Sequence, residues 1–280
     1  MEVCETHRES RSHFGSGGKV PRTGTTGEQA NHLRIVRLRD RARIVDGEDV
    51  LSEILDHAGP TDTMFDVLAA CIAALAPGPR VALLGFAGGG LVAPLRAMGF
   101  TTPLLAVDIS LAGLALFDEL SGDWAGRVDV VEAEAGVWLR RTRRRFDLIL
   151  EDLSVPSPQD AVKPVVSLDT LPELMQQRLR PGGIAITNVL PVPGTAWTAL
   201  LEHLAQPFPR AVVIHFDHYV NRILVAGNLP SAAEVARALR AALARIGSLQ
   251  THRFSVRRLG HSVSPAPRAR ARARATSSRG

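Results

Sequence analysis

Four successive apolar runs close on glycines or acids: Gly85-Phe86-Ala87-Gly88-Gly89-Gly90, Asp108, Glu134 and Glu151-Asp152. Glycines at the end of a buried run let a backbone turn lie against a ligand that side chains would keep away. A helix starting behind them would offer N–H groups to an anion such as an amino-acid carboxylate. Asp108 follows the glycines at the spacing, about 20 residues, at which a carboxylate accepts both hydroxyls of a ribose. Singly, such a turn is often structural and a strand-end acid is often a helix cap; together they point to an adenosyl ligand. Read as G-x-G-x-x-G, the turn is Gly85, Ala87, Gly90, and the Ala87 methyl occupies the place that should admit a pyrophosphate, which disfavours NAD.

These clusters need strands to carry them. Val81 to Phe86, Leu104 to Ile109, Val128 to Glu134, Phe146 to Leu153, Gly183 to Leu190, Ala211 to Phe216 and Arg222 to Ala226 read as strands. Helix-like segments of about ten to fifteen residues separate the first five, as parallel βαβ units require. Only "DHYVN" separates the last two, too short for a crossover, so they form an antiparallel hairpin. The expected fold is α/β: a Rossmann-like doubly wound sheet of five parallel strands plus a terminal antiparallel hairpin, with ligands at the carboxyl ends of the strands.

Upstream, "LRIVRLRDRARIVDG" alternates, with turn signals at Arg39-Asp40 and Asp46-Gly47, and predicts a short N-terminal β-ribbon within residues 32–60. "TDTMFDVLAACIAALAPG" predicts a helix capped by Thr61 or Asp62, with Phe65, Leu68, Cys71, Ile72 and Leu75 on one face and Pro77-Gly78 as the stop. Ser231 to Gly247 predicts a capped amphipathic helix presenting Val235, Leu239 and Leu243. Residues 61–260 are expected to form the main domain. The leader 1–31 and the Arg-rich tail 261–280 are expected to be disordered.

The strand order resembles that of class I AdoMet-dependent methyltransferases. From Leu33 to Asn228 the chain resembles the spermidine synthase (polyamine aminopropyltransferase) family, which uses that fold with decarboxylated AdoMet as donor. The likeness is carried by "VALLGFAGGG", "LLAVDIS", "VDVVEAEAGVWL", "FDLILEDLSVP", "LRPGGIAITNVL" and "NRILVAGN". It implies an AdoMet-type donor bound by Gly85, Ala87, Gly88, Gly89, Asp108, Ile109, Glu134 and Ala135. Asp108 would hold the ribose, and Glu134 stands where the family has an aspartate that contacts the adenine amino group. Asp152 would be the catalytic base, with Ser154 and Asn188 lining the acceptor site; Asn188 equally suits a cap on the next loop. The resemblance further implies polyamine biosynthesis and a homodimer formed through the ribbon.

Two carboxylates of the family pattern are absent: Gly88 replaces the aspartate of G-G-G-D-G-G, and Val155 the second aspartate of D-S-S-D-P. Tyr219 is the only tyrosine. A buried ammonium beside valine lacks a counter-charge, so the chain reads as divergent at the acceptor side. The expected function is transfer of an alkyl group, aminopropyl or methyl, from AdoMet or decarboxylated AdoMet to a small nucleophile, an amine. The alternative is a noncatalytic nucleoside- or partner-binding module that retains the fold.

Composition narrows the classes. The 280 residues are 45% apolar, enough for a large core. No apolar run reaches the roughly 20 residues of a bilayer span, and "MEVCETHRES" has no signal core, so a cytoplasmic protein is expected. The net charge of +5 belongs to the tail, where Arg268, Arg270, Arg272, Arg274 and Arg279 have no acid among them. Weak nonspecific nucleic-acid contact is the functional reading of that tail and a solvated terminus the plain one. Cys4 and Cys71 have no metal spacing, and His215, Asp217 and His218 do not converge along a strand, so no metal is expected. Trp138 and Leu139 either wall an adenine pocket or pack in the core.

Overall fold

The computed structural model describes residues 33–46, 49–155 and 161–260. The expectations for the leader, the tail, Cys4, the turn residue Gly47 and Pro156 lie outside the described residues. Among the described residues no helix is long and apolar enough to cross a membrane.

The alternating segment forms three antiparallel strands, β1 (Leu33–Arg37), β2 (Arg41–Asp46) and β3 (Asp49–Leu55). Ala42, Ile44 and Ile54 join the core of the main domain, so this small sheet is seated on it. Glu53 on β3 is almost fully buried and is bound by Arg41, at 2.6 Å, and by Arg43. The outer positions Ile35, Val36 and Leu38 remain exposed.

Helix α1 (Met64–Leu75) starts later than expected, with Thr63 as its cap. The reason is the buried Asp66, which accepts from the Thr61 and Asp62 N–H groups and from the hydroxyls of Thr61 and Ser248. The two expected caps are thereby drawn into a network that ties the helix start to residue 248.

The main sheet contains β4 (Val81–Leu84), β5 (Leu104–Asp108), β6 (Val128–Glu132), β7 (Phe146–Glu151), β8 (Leu179–Val189), β9 (Ala211–Phe216), β10 (Arg222–Gly227) and β11 (Phe254–Arg258). Its order is β11-β9-β10-β8-β7-β4-β5-β6. Strands β4 to β8 are parallel to one another, and β9 and β10 form the expected antiparallel hairpin. One face is covered by α1, α2 (Val92–Ala97), α3 (Leu114–Ser121) and α8 (Ala232–Arg245). The other is covered by α4 (Ala135–Arg141), α5 (Val165–Asp169), α6 (Leu171–Arg178) and α7 (Trp197–Ala205). A two-faced apolar sheet of this kind explains the continuous hydrophobic runs of β4 and β7.

Three details differ from the expectation. The five parallel strands end earlier, the first, third and fourth by two residues because the chain leaves the sheet at Gly85, after Glu132 and after Glu151, and the second and fifth by one. Strand β8 begins at Leu179 rather than Gly183, and a register shift against β7 between Phe146 and Leu148 absorbs Pro181-Gly182-Gly183. The edge strand β11 is an addition: its charged "RR" end disguises a strand whose Phe254 is buried against the core. Helix α8 carries the expected capping box between Ser231 and Glu234 and buries Val235, Leu239 and Leu243.

Candidate functional site

The turn after β4 is built from left-handed backbone: Gly85 at φ +94°, Ala87 at +49° and Gly89 at +73°. A Cβ on Gly85 would stand 2.5 Å from the Asp152 carbonyl oxygen, so this glycine lets the ends of β4 and β7 close on each other. Gly88 has another role. Its missing side chain would meet the Cδ1 atoms of Ile54 at 2.6 Å and Ile44 at 2.9 Å. Gly90 likewise backs onto Ser52 and Glu53. The absence of side chains at these two positions is therefore used by the small sheet, which presses on the turn from outside.

The N–H groups of the turn are mostly engaged. Gly85 donates to the Val107 carbonyl, Phe86 and Ala87 both donate to Asp108 Oδ2, Gly89 to the Phe86 carbonyl and Gly90 to Ser52 Oγ. Helix α2 has only six residues and its first turn is buried. The helix N-terminus expected here for a carboxylate is buried, with the small sheet against the preceding Gly90. Gly113, before α3, was not singled out from the sequence; a Cβ there would lie 1.8 Å from the Ala87 carbonyl oxygen. Only its position just before an apolar helical run signalled it.

Asp108 ends β5 partly buried. Besides the two turn N–H groups on Oδ2, its Oδ1 accepts from Ser110 N–H at 3.0 Å. Ile109 beside it is 74% exposed, its side chain in solvent. Glu134 caps α4: Oε1 accepts from Gly136 N–H at 2.8 Å and Oε2 from Val137 N–H at 2.7 Å. Ala135 is the buried first residue of that helix. Leu139 belongs to the core, and Trp138 packs on Phe146 with ring centroids 5.7 Å apart. Asp108 and Glu134 thus hold the loops after β5 and β6, and Asp108 Oδ1, Glu134 Oε1 and Oε2 each accept a single N–H, leaving a lone pair for a further donor.

Beyond β7, Asp152 and Asn188 come together, with Asn188 Nδ2 donating to Asp152 Oδ1 at 2.7 Å. Asn221, at the β9–β10 hairpin, donates in turn to Asn188 Oδ1 at 3.2 Å. Ser154 is exposed in the same loop, and Val155 pairs with Val162 across it. Next to Asp152, the fully buried Glu151 accepts at Oε1 from Lys163 Nζ at 2.6 Å, Leu153 N–H at 2.8 Å and Ser167 Oγ at 3.1 Å. Lys163 Nζ also donates to the Leu153 carbonyl. Burial pushes the Glu151 carboxyl above the ordinary range, and the Lys163 ammonium opposes that shift. Glu151 Oε2 has no hydrogen-bond partner among the described residues. The pair was not anticipated; Lys163, one of two lysines in the chain, was the available hint.

A cavity of about 360 Å³ opens at Asn221, lined by Trp197, His215, Phe216, Tyr219 and Arg222 among others. The Arg222 guanidinium lies over the Trp197 ring, 4.2 Å from its centroid. Burial, and then Arg222 and Arg257, push the His215 imidazole below its ordinary range. The lining contains no carboxylate.

No known family profile matches the chain, and no curated protein does. Solved structures are similar. A probable spermidine synthase from Corynebacterium glutamicum superposes with a TM-score of 0.64 at 17% identity, covering 86% of this chain and 92% of that one. Human methyltransferase-like protein 13, in complex with SAH, gives 0.52 at 21% identity over 65% and 90%. A spermidine synthase in complex with the transition-state analogue AdoDATO gives 0.51 at 15% identity over 72% and 75%. At these identities it is the architecture that is shared: the chain has the Rossmann-like class I methyltransferase fold in its spermidine synthase-like form.

Proposed function

We propose that the protein transfers an alkyl group, aminopropyl or methyl, from AdoMet or decarboxylated AdoMet to a small nucleophile. The observation that carries this reading is the pairing of Asp152 with Asn188 at the same carboxyl edge of the sheet as Asp108 and Glu134. The donor would lie across Gly85 to Gly89, with its ribose on Asp108 and its adenine beside Ile109, Glu134 and Ala135; Gly88 also seats the small sheet. The remaining lone pairs of the two carboxylates suit a ribose hydroxyl and an adenine amino group.

In the proposed step a neutral nucleophile attacks a sulfonium carbon in line, and the protein supplies orientation and a proton acceptor. Asp152 is that acceptor. Asn188 fixes one of its oxygens and leaves the other to face the nucleophile. The cavity beyond Asn221 would take the rest of the acceptor. With Arg222 and His215 in its lining and no carboxylate, it gives no counter-charge to further ammonium groups. That favours a single amine carried on a flat or anionic body over a polyamine. A homodimer through β1 is proposed on its exposed Ile35 and Val36 and on Leu38 just beyond it.

A noncatalytic nucleoside-binding module is the second reading, favoured by Val155 where the family has its second aspartate. The test is incubation with each donor and a panel of putrescine, monoamines and amino-aryl carboxylates, followed by mass spectrometry of the nucleoside product. Methylthioadenosine marks aminopropyl transfer and S-adenosylhomocysteine marks methyl transfer. Calorimetric binding without turnover supports the module, and no binding of either donor or either product overturns both readings.

A further inference from the structure

A second cavity, of about 710 Å³, lies at the opposite end of the main sheet, where β4, β5 and β7 begin. Arg80, Arg143, Arg144, Arg145 and Arg180 line it. They come from three separate segments that the parallel pairing of β4, β7 and β8 gathers at one edge. Pro79, Pro103, Leu105 and Pro181 add apolar surface to the lining.

The charges here are not balanced. The acid in the lining, Asp129, is held by Arg127 at 2.9 Å. Asp147, below the rim, accepts from the Arg80 N–H and stands 3.7 Å from Arg180. Arg145 donates to the Leu179 carbonyl. Arg80, Arg143 and Arg144 have no ion pair among the described residues. Several cations converging on one concavity repel one another, and an anion entering it removes that repulsion. Guanidinium forks match phosphate oxygens in pairs. Apolar surface in the lining suits a base or sugar face, and the volume suits a nucleotide-sized group.

We propose that this cavity binds closely spaced phosphate groups, from a free nucleoside triphosphate or from the backbone of a single-stranded RNA. The site is separate from the transferase reading, since its residues lie at the other end of the strands from Asp152.

The test uses the full chain and titrates ATP, tripolyphosphate and a short single-stranded RNA at two salt concentrations. Three variants are compared: Arg143→Gln/Arg144→Gln, Arg143→Lys/Arg144→Lys, and a tail variant with Arg268, Arg270, Arg272 and Arg274 each changed to Gln. The Gln pair is expected to weaken binding about tenfold or more, and the Lys pair less. The tail variant retains the binding, and affinity falls as salt rises. Binding of ATP and tripolyphosphate identifies the free ligand; binding of RNA alone identifies the nucleic acid. Unchanged affinity in the Gln pair, loss confined to the tail variant, or no binding of any probe overturns the proposal. Donor binding by the Gln pair, followed in parallel, is expected to be unchanged, so failure of this site and failure of the transferase reading are read separately.

Discussion

Asn188 Nδ2 donates to Asp152 Oδ1 at 2.7 Å, joining the ends of two neighbouring parallel strands, β7 and β8, through their side chains. The contact orients one carboxylate oxygen and commits it. If Asp152 is the proton acceptor, Asp152→Asn is expected to lower the turnover number by about 10² to 10⁴ while donor affinity holds. Asn188→Ala, which frees the carboxylate without removing it, is expected to cost less. Rates measured at saturating donor, beside calorimetric donor binding, separate the two effects. Intact turnover in Asp152→Asn would remove the base from the proposal.

Asp108 offers a prediction that needs no ligand. Its Oδ2 accepts two N–H groups of the glycine turn, from Phe86 at 2.7 Å and Ala87 at 2.8 Å. Asp108→Ala leaves both donors without their acceptor and is expected to destabilise the protein by about 1 to 3 kcal/mol. Urea unfolding in the absence of any nucleoside measures this. A carboxylate that served the ribose alone would leave that unfolding curve unmoved.

The succession of strands along the chain, and the places of Asp108, Glu134 and Asp152 at or just past their ends, were legible because hydrophobic runs and their terminators are local signals. The contact of Asp152 with Asn188 joins residues 36 positions apart, and no periodicity announces it. The packing of the small sheet on Gly88 was hidden for the same reason. Its partners, Ile44 and Ile54, lie more than thirty residues upstream, and only the seating of the small sheet brings them to the turn. The pairing of Glu151 with Lys163 was hidden because a lysine in a loop ordinarily reads as solvated. Strand β11 was hidden because one buried face of five residues leaves little alternation to detect.

Gly88 gives a prediction against intuition. Restoring the aspartate of the related family would insert a Cβ 2.6 Å from Ile54 Cδ1 and push a carboxylate against two isoleucines. Gly88→Asp is expected to cost about 1 to 3 kcal/mol or more, and to add no affinity for decarboxylated AdoMet. Ile54→Ala in the same chain is expected to return part of the loss. Thermal unfolding and donor calorimetry on the single and double variants check both statements.

Exposed Ile35, Val36 and Leu38 give the small sheet an apolar outer edge. If that edge forms the proposed homodimer, Ile35→Glu/Leu38→Glu is expected to convert the protein to monomer. Sedimentation equilibrium of the two proteins decides this, and an unchanged mass excludes β1 as the contact.

Glu151 and Lys163 supply the last prediction. Both side chains are about 1% exposed and lie 2.6 Å apart, bracketing the loop that follows Asp152. Lys163→Met removes the cation and leaves a carboxylate buried without counter-charge, which is expected to cost about 3 to 5 kcal/mol near pH 7. The dependence on pH follows from the direction of the shift. Burial already raises the Glu151 carboxyl, and loss of Lys163 removes what opposes it. A carboxyl raised in the folded state favours folding fully below its unfolded value, near ~4.3. That advantage is lost as pH rises through the folded value. Lys163→Met is therefore expected to be more stable at pH 5 than at pH 8, with its deficit against the unmodified protein smallest in acid. Urea unfolding across that range measures it. A deficit that stays constant with pH would mean that Lys163 acts through packing and its bond to the Leu153 carbonyl, and not through the charge it places beside Glu151.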